Sequence, residues 1–160
     1  MQYGFHIVSG PARSGKTTFI RSRLIEAPVG QVFVSTLTPL EYADLPVQVG
    51  TDLADPIVGT TIMDAATREP AKINIVVVED SQRKFLNSTI CDQFFQASRS
   101  LRLAVIVIVQ SMADVPPKWR RRAVSARLFR PSADDIQKLS VDFVASSAHG
   151  TRIYGRSRHQ

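Results

Sequence analysis

The chain has 160 residues, a formal net charge of +6 and one cysteine, Cys91. This length suits a single domain with one sizeable core, and 44% apolar with 21% charged residues is typical of a soluble globular protein. A lone cysteine excludes an intrachain disulfide, and without a His/Cys cluster no zinc site is expected. We also expect no transmembrane segment, because every apolar run is short, and no signal peptide, because the N-terminus lacks the charged and apolar regions of one.

The positive charge is concentrated in the last third of the chain. Residues 118–160 carry a large excess of Lys and Arg, whereas residues 1–117 are close to neutral. A basic region of this kind favours a polyanionic partner, most simply nucleic acid. The alternative is a solvated basic surface with a charged tail.

The predicted elements alternate between strand and helix along the chain. Strands are predicted over residues 2–8, 31–37, 45–49, 73–78, 103–109, 125–129 and 150–155. Helices are predicted over residues 17–26, from a cap at Thr51 or Asp55 to about residue 68, over 88–101 capped by Asn87, over 118–122, and over 133–146. Residues 38–44 are expected to form a loop or short helix, and residues 81–86 a loop. This alternation predicts an α/β fold, a three-layer α/β/α sandwich with a mainly parallel sheet. We expect one domain over residues 1–155 and a basic tail over 156–160.

A glycine-bounded loop between the first strand and the first helix carries the most specific motif. Residues 10–17 read Gly-Pro-Ala-Arg-Ser-Gly-Lys-Thr, the phosphate-loop (P-loop NTPase) pattern G-x-x-x-x-G-K-[ST]. Its glycines let backbone N–H groups surround a phosphate, and the helix N-terminus adds partial positive charge. Lys16 would reach the β- and γ-phosphates of ATP, and Thr17 would give its hydroxyl to Mg²⁺. The predicted nucleotide-binding residues are Gly10, Pro11, Ala12, Arg13, Ser14, Gly15, Lys16, Thr17 and Thr18. The alternative is a chance match in a Gly/Ser-rich turn.

Two acidic residues follow the strand predicted over residues 73–78. The carboxyl ends of parallel strands line the crevice where α/β proteins bind ligands, so Glu79 and Asp80 are expected beside the phosphate loop. One carboxylate there would hold Mg²⁺ while the next activates the attacking water. We assign Glu79 as the Mg²⁺ ligand and Asp80 as the general base. The alternative is a charged strand end at the surface.

Gln110 ends the second β-branched run, over residues 103–109. Its amide would contact the γ-phosphate or orient the attacking water, and the alternative is a polar residue that merely leaves the sheet. Two apolar strands that end in Glu-Asp and in Gln-Ser together favour the catalytic interpretation.

Beyond the phosphate loop, the chain resembles the FtsK/HerA superfamily. An N-terminal phosphate loop, a strand ending in two acids, an Arg-containing helix and a strand ending in Gln-Ser carry this likeness. The chain is most similar to the genome-packaging ATPases of poxviruses, other large DNA viruses and membrane-containing icosahedral viruses. The resemblance is carried mostly by residues 96–102 and 105–111, and also by Pro116-Pro117, Arg120-Arg121 and residues 132–136.

The resemblance implies an additional-strand, RecA/FtsK-like core in which the Gln110 strand lies between the phosphate-loop strand and the two-acid strand. It implies DNA-stimulated ATP hydrolysis with Mg²⁺ by a homo-oligomeric ring, a hexamer or pentamer, that threads double-stranded DNA into a capsid. A capsid or portal-region protein would be a partner, and the protein would be soluble inside the host cell, in the cytoplasm or nucleus or associated with virions.

An arginine finger acting on the ATP of a neighbouring subunit is also implied, with Arg99 and Arg102 as first candidates and Arg83 as the third. Two features depart from the family pattern. The acid pair reverses the family's usual Asp-Glu order, and the chain is shorter than most relatives.

The basic segment after Pro116-Pro117 is the predicted DNA contact. Arginine binds phosphates in bidentate fashion, which suits contacts to the DNA backbone without sequence readout. Trp119 could stack on a base, but an aromatic that anchors a short helix is the favoured interpretation. The predicted nucleic-acid residues are Lys118, Arg120, Arg121 and Arg122.

Two other functions fit parts of the sequence. A small-molecule kinase of the nucleoside-kinase type has a similar size and phosphate loop, but the acid pair after a buried strand favours water as the acceptor. A nucleotide-regulated assembly protein would bind the nucleotide without turnover.

Overall fold

The computed structural model describes residues 2–26, 29–50, 52–69, 71–79, 82–146 and 152–154. Its strands are β1 (Gly4–Ser9), β2 (Val29–Ser35), β3 (Gln48–Gly50), β4 (Ile73–Val78), β5 (Leu103–Val109), β6 (Ser125–Leu128) and β7 (Arg152–Tyr154). Its α-helices are α1 (Lys16–Glu26), α2 (Pro56–Arg68), α3 (Gln82–Leu86), α4 (Thr89–Ala97), α5 (Pro117–Arg122) and α6 (Ala133–Ser146). Short 3₁₀ helices cover Pro39–Tyr42 and Met112–Asp114.

The described strands form one sheet in the order β3-β2-β4-β5-β1-β6-β7, and all the neighbouring pairs are parallel. β5 lies between β1 and β4, as the resemblance implied, and Val105 is in register with Phe5 on one side and Val76 on the other. Every residue of β5 is buried, because a central parallel strand is covered on both faces. The carboxyl ends of β1, β4 and β5 therefore meet at one edge, the carboxyl edge, opposite the amino edge where these strands begin.

Helices cover both faces of the sheet and produce the predicted α/β/α sandwich. On one face, α1 buries Ile20 and Leu24 in a cluster with side chains from the central strands. On the other face, α2, α4 and α5 bury Ile62, Phe94 and Trp119 in a second, larger cluster. Burial of large apolar side chains stabilises a fold by about 1.5–3 kcal/mol each, so the two clusters hold the central strands in place.

Most predicted elements are present, and their ends differ by a few residues at most. The bounds of β4 and β5 are those predicted, whereas β2 begins and ends two residues earlier than expected. Asp55 caps α2, and its carboxylate accepts a hydrogen bond from the Ile57 N–H at 2.9 Å. The loop prediction was wrong for residues 82–86, which form α3 and bury Phe85 and Leu86.

α4 is shorter than predicted and ends at Ala97 rather than near residue 101. Ser88, not Asn87, caps it and accepts a hydrogen bond from the Cys91 N–H at 3.3 Å. The following residues turn, because the Leu103 N–H bonds to the Ser98 carbonyl at 2.8 Å and Arg102 takes a left-handed φ of +47°.

Two further predictions concern the membrane and the tail. Within the described ranges, the helices all lack the combination of length and apolar character that a membrane crossing requires. The predicted basic tail, residues 156–160, lies outside the described residues.

Candidate active site

The loop between β1 and α1 is shaped by two glycines for different reasons. Gly15 adopts a φ of +97°, which favours glycine. At Gly10 the constraint is space, since an added Cβ would lie 2.7 Å from both the Phe129 carbonyl oxygen and the Ser14 hydroxyl. The Gly10 N–H donates to the Val109 carbonyl at 3.1 Å, which fixes the start of the loop to the end of β5. The loop is therefore held at the carboxyl edge in a conformation that larger residues would disturb.

Lys16 begins α1 and turns back over this loop. Its Nζ donates to the Pro11 carbonyl at 2.7 Å and also to the Gly10 carbonyl. Burial lowers the pKa of Lys16, while the negative charge of Glu79 acts in the opposite direction. A cavity of about 390 Å³ adjoins it, lined by Arg13, Ser14, Gly15, Lys16, Thr17, Thr18 and Glu41. Glu41 comes from the Pro39–Tyr42 helix and was not predicted as a site residue.

Thr17 and Glu79 meet at the floor of the site. The Thr17 hydroxyl donates to Glu79 Oε1 at 3.2 Å, and the Glu79 N–H donates to the Ser35 carbonyl at 3.0 Å. The structure thus brings together the two residues to which the sequence assigned the metal. Asp80 lies outside the described residues, so its role as the base stays a prediction.

These two residues fit a magnesium ion. Glu79 Oε2 is buried and lacks a hydrogen-bond partner, so one carboxylate oxygen remains available for a cation. Among the described residues, no group of three or more His, Cys, Asp or Glu side chains could hold a metal. Mg²⁺ is commonly bound through one or two protein oxygens together with substrate phosphates and water, which matches a Thr17–Glu79 pair beside a phosphate loop.

Tyr42 is a site residue that the sequence did not reveal. Its side chain is fully buried in the cluster that contains Ile20 and Leu24 of α1. Its hydroxyl interacts with the charge of Glu79 but lacks a well-formed hydrogen bond. Burial raises the pKa of Tyr42, and the adjacent charge of Glu79 raises it further. A tyrosine after β2 carries no motif, so only the folded chain associates it with Glu79.

Gln82 joins the ends of two strands at the site. Its side-chain amide donates to the Ile108 carbonyl at 2.7 Å and to the Glu79 carbonyl. The amide therefore ties the end of β4 to the end of β5, next to the predicted catalytic groups. Sequence reasoning missed this residue because residues 81–86 were expected to be a loop.

Gln110 leaves the end of β5 with its side chain exposed at the carboxyl edge. The segment after it is anchored by Asp135, which accepts hydrogen bonds from the Ser111 hydroxyl at 3.0 Å and the Met112 N–H at 2.9 Å. Burial raises the pKa of the Asp135 carboxyl, but hydrogen bonds from Met112, Ser132 and Ser111 outweigh it and leave the pKa below its usual value. Gln110 is thus carried on a fixed segment beside the phosphate loop.

Several solved structures superpose on the chain over most of its length. The genome-packaging NTPase B204 of Sulfolobus turreted icosahedral virus 2, in complex with ATPγS, is 14% identical with a TM-score of 0.70, covering 93% of this chain and 86% of that one. The chain therefore shares the fold of this protein. The DNA-packaging ATPase B204 of Sulfolobus turreted icosahedral virus matches over the same shares at 13% identity and a TM-score of 0.64.

The same fold also occurs in a larger protein. EssC from Geobacillus thermodenitrificans, in a structure of its ATPases 2 and 3, is 15% identical with a TM-score of 0.62, over 85% of this chain and 34% of that one. These matches support the FtsK/HerA resemblance at the level of the fold, which is all that such low identities show. No protein-family model and no curated protein matches the chain.

The three candidate arginine fingers are divided between the two opposite edges of the sheet. Arg99 and Arg102 belong to the turn before β5, at the amino edge, and Arg102 Nη1 donates to the Ala71 carbonyl at 3.2 Å. Arg83 lies on α3, just beyond Glu79, and pairs with Asp114 at 3.6 Å. Arg83 therefore shares the carboxyl edge with the phosphate loop, whereas Arg99 and Arg102 lie at the opposite, amino edge.

The predicted basic segment forms α5, and one of its arginines faces inward. Arg120 is buried, and its Nη1 donates to the carbonyls of Met112 at 3.2 Å and Val115 at 3.0 Å. The expectation of a DNA contact is therefore corrected for Arg120, which holds the fold together. The indole N–H of Trp119 donates to the Leu86 carbonyl at 2.7 Å, in agreement with an anchoring role.

The other basic residues of α5 lie nearer the surface. Lys118 and Arg122 approach Asp92 at 2.8 Å and 3.6 Å, and the Arg122 guanidinium lies 4.7 Å from the centre of the Phe95 ring. Arg121 is exposed. The surface that remains for the predicted DNA contact therefore comprises Lys118, Arg121 and Arg122.

Proposed function

We propose that the chain is an ATP-hydrolysing motor that translocates double-stranded DNA and packages a viral genome into a capsid. The observation that supports it best is the 3.2 Å contact between Thr17 and Glu79 beside a phosphate loop. This contact occurs in a fold shared with a genome-packaging NTPase that has been solved with ATPγS. A phosphate loop paired with an acidic strand end is the arrangement that nucleotide hydrolysis requires.

In the proposed reaction, each part of the site has a separate task. Backbone N–H groups of residues 10–17 bind the phosphates, and Lys16 exchanges its loop carbonyls for the β- and γ-phosphate oxygens. Thr17 and Glu79 hold Mg²⁺, which neutralises charge on the phosphate oxygens when bound. Asp80 takes a proton from the attacking water, and Gln110 orients that water or the γ-phosphate. Water is thus the acceptor of the γ-phosphoryl group, the bond to the β–γ bridging oxygen breaks, and ADP is the leaving group.

The DNA contact we propose is electrostatic and independent of sequence. Lys118, Arg121 and Arg122 would bind backbone phosphates, as a motor that must move along any sequence requires. A ring of identical subunits, with Arg99, Arg102 or Arg83 completing a neighbour's site, would couple hydrolysis to movement. Its partners would be the DNA and a capsid or portal-region protein, within the host cell or in virions.

The first test is ATP hydrolysis with and without long double-stranded DNA. We expect turnover in the unaltered chain to rise with DNA and to require Mg²⁺. Glu79→Gln should abolish turnover, whereas the control Glu69→Gln, at a partly exposed carboxylate paired with Lys72, should leave it unchanged. Turnover indifferent to DNA, or phosphate transfer to a nucleoside acceptor, would refute the motor and favour a kinase.

A further inference from the structure

Tyr42 and Glu79 are among the described residues that have a buried polar atom without a hydrogen-bond partner, as are Ser9 and Ser14 at the phosphate loop. Tyr42 is 0% exposed, and its hydroxyl oxygen has no such partner. In Glu79, a residue of intermediate exposure, the Oε2 atom is buried and also lacks a partner. Buried polar atoms in folded proteins are nearly always paired, so two adjacent exceptions call for a functional explanation.

The Tyr42 hydroxyl and the Glu79 carboxylate lie close enough to interact. The charge of Glu79 acts directly on the Tyr42 hydroxyl, so the carboxylate and the phenol are near neighbours. Through its other carboxylate oxygen, Oε1, Glu79 accepts a hydrogen bond from the Thr17 hydroxyl at 3.2 Å. The carboxylate therefore has two hydroxyl groups as neighbours, one from α1 and one from the Pro39–Tyr42 helix.

We propose that Tyr42 is a positioning residue for Glu79. A small rotation lets its hydroxyl donate to Oε2, which holds the carboxylate in the orientation that receives Mg²⁺ beside Thr17. Hydrogen bonds from neighbouring side chains to a ligating carboxylate fix its direction and strengthen metal binding. This inference rests on the part of the proposed function that assigns Mg²⁺ to Thr17 and Glu79, and it does not depend on DNA.

The segment that carries Tyr42 is itself fixed to the phosphate-loop helix. Arg21, on α1, pairs with Asp44 at 2.5 Å and also donates to the Glu41 carbonyl. Tyr42 is thus held between two residues that are bound to the same helix as Lys16 and Thr17. Such a connection keeps the phenol at a constant position relative to the phosphate loop.

Packing alone does not account for a tyrosine at this position. A phenylalanine would fill the same apolar space without burying an unpaired hydroxyl, which destabilises a fold. If a tyrosine hydroxyl has only a structural role, its removal lowers the stability of the protein when the hydroxyl is hydrogen-bonded. The Tyr42 hydroxyl lacks such a bond. The positioning role predicts that Tyr42→Phe has an unchanged or higher melting temperature and needs more Mg²⁺ to bind the nucleotide.

The test compares Tyr42→Phe with Tyr3→Phe, which removes the same atom just before β1 at the amino edge. Binding of a fluorescent ATP analogue is measured in EDTA and then across a Mg²⁺ titration. Both variants should bind the nucleotide in EDTA like the unaltered chain. We expect Tyr42→Phe to need about tenfold more Mg²⁺ for half of its effect on binding, and Tyr3→Phe to need no more.

Two results would overturn the inference. One is a Tyr42→Phe protein with the same Mg²⁺ titration as Tyr3→Phe. The other is a Tyr42→Phe protein that melts at lower temperature and loses nucleotide binding already in EDTA, since Tyr42 would then be a core residue. Failure of the proposed function is separable, because a chain that binds Mg²⁺ and nucleotide without DNA-stimulated hydrolysis still permits this titration.

Discussion

The cationic groups of the phosphate loop and of α5 differ in what surrounds them. Lys16 bonds to two carbonyls of its own loop and adjoins a cavity of about 390 Å³. In α5, Arg120 is buried against interior carbonyls and Arg122 packs on Phe95. A cation on a loop that glycines hold open can exchange its partners for a phosphate. Cationic side chains on the short helix α5 already pack within the fold, because arginine buries its stem along apolar surface. They are therefore less free to bind an anion.

The largest expected effect lies at the phosphate loop. Lys16→Ala removes the charge that meets the β- and γ-phosphates, so turnover should fall by about 100- to 1,000-fold. The control Lys72→Ala changes an exposed lysine of the amino edge that pairs with Glu69 at 3.5 Å. Steady-state hydrolysis measures both, and equal activity of the two variants would contradict the assignment of the phosphate loop.

At α5 the comparison predicts a loss of stability rather than of binding. Arg120→Ala leaves the Met112 and Val115 carbonyls without their buried donor. The free energy of unfolding, measured in urea, should therefore fall by about 3 kcal/mol. Arg121→Ala, on the exposed side of the same helix, should change it by less than about 0.5 kcal/mol. Equal losses for the two neighbours would mean that α5 does not face the interior as described.

Sequence patterns could predict β4 and β5 to the residue because each is an unbroken apolar run that ends at polar residues. The phosphate loop was equally predictable, since its glycines and Lys16 have fixed spacing. α5 was different, because three successive arginines in one helical turn do not reveal which one faces inward. Glu41, Tyr42 and Gln82 could not be predicted, since each reaches the site from a loop or short helix that carries no motif.

Asp135, which anchors the segment that follows Gln110, should give an effect on stability that is intermediate in size and depends on pH. Hydrogen bonds hold the pKa of the Asp135 carboxyl below its usual value, so its stabilisation is present above the unfolded pKa of about 4 and is lost as pH falls through the folded pKa. Asp135→Asn should lower the free energy of unfolding by about 1–2 kcal/mol at pH 7. It should also reduce the dependence of that free energy on pH in the acid range.

The matched control for this prediction is Asp134→Asn, which changes an exposed carboxylate that pairs with Lys138 at 2.7 Å. It should alter stability by less than about 0.5 kcal/mol at any pH. Urea unfolding from pH 3 to pH 7 distinguishes the two variants. If both show the same pH profile, Asp135 does not anchor the segment that carries Gln110.

The smallest expected effect concerns DNA and the exposed face of α5. Log affinity for duplex DNA falls linearly as log salt concentration rises. Arg121→Ala should make this slope shallower by about 1, the value for one lost phosphate contact. Arg68→Ala, an exposed arginine at the end of α2, should leave the slope unchanged. A change of equal size in both variants would indicate nonspecific charge in place of a DNA-binding face at α5.

The measurement that tests the central claim most directly is ATP-driven displacement of a third strand from duplex DNA. The account predicts that the unaltered chain releases the third strand only when ATP and Mg²⁺ are present, and that release is delayed as the duplex leading to it is lengthened. Lys16→Ala should bind the same duplex without releasing the strand. Rapid DNA-stimulated hydrolysis with no release would contradict translocation, even with the phosphate loop, Thr17 and Glu79 acting as described.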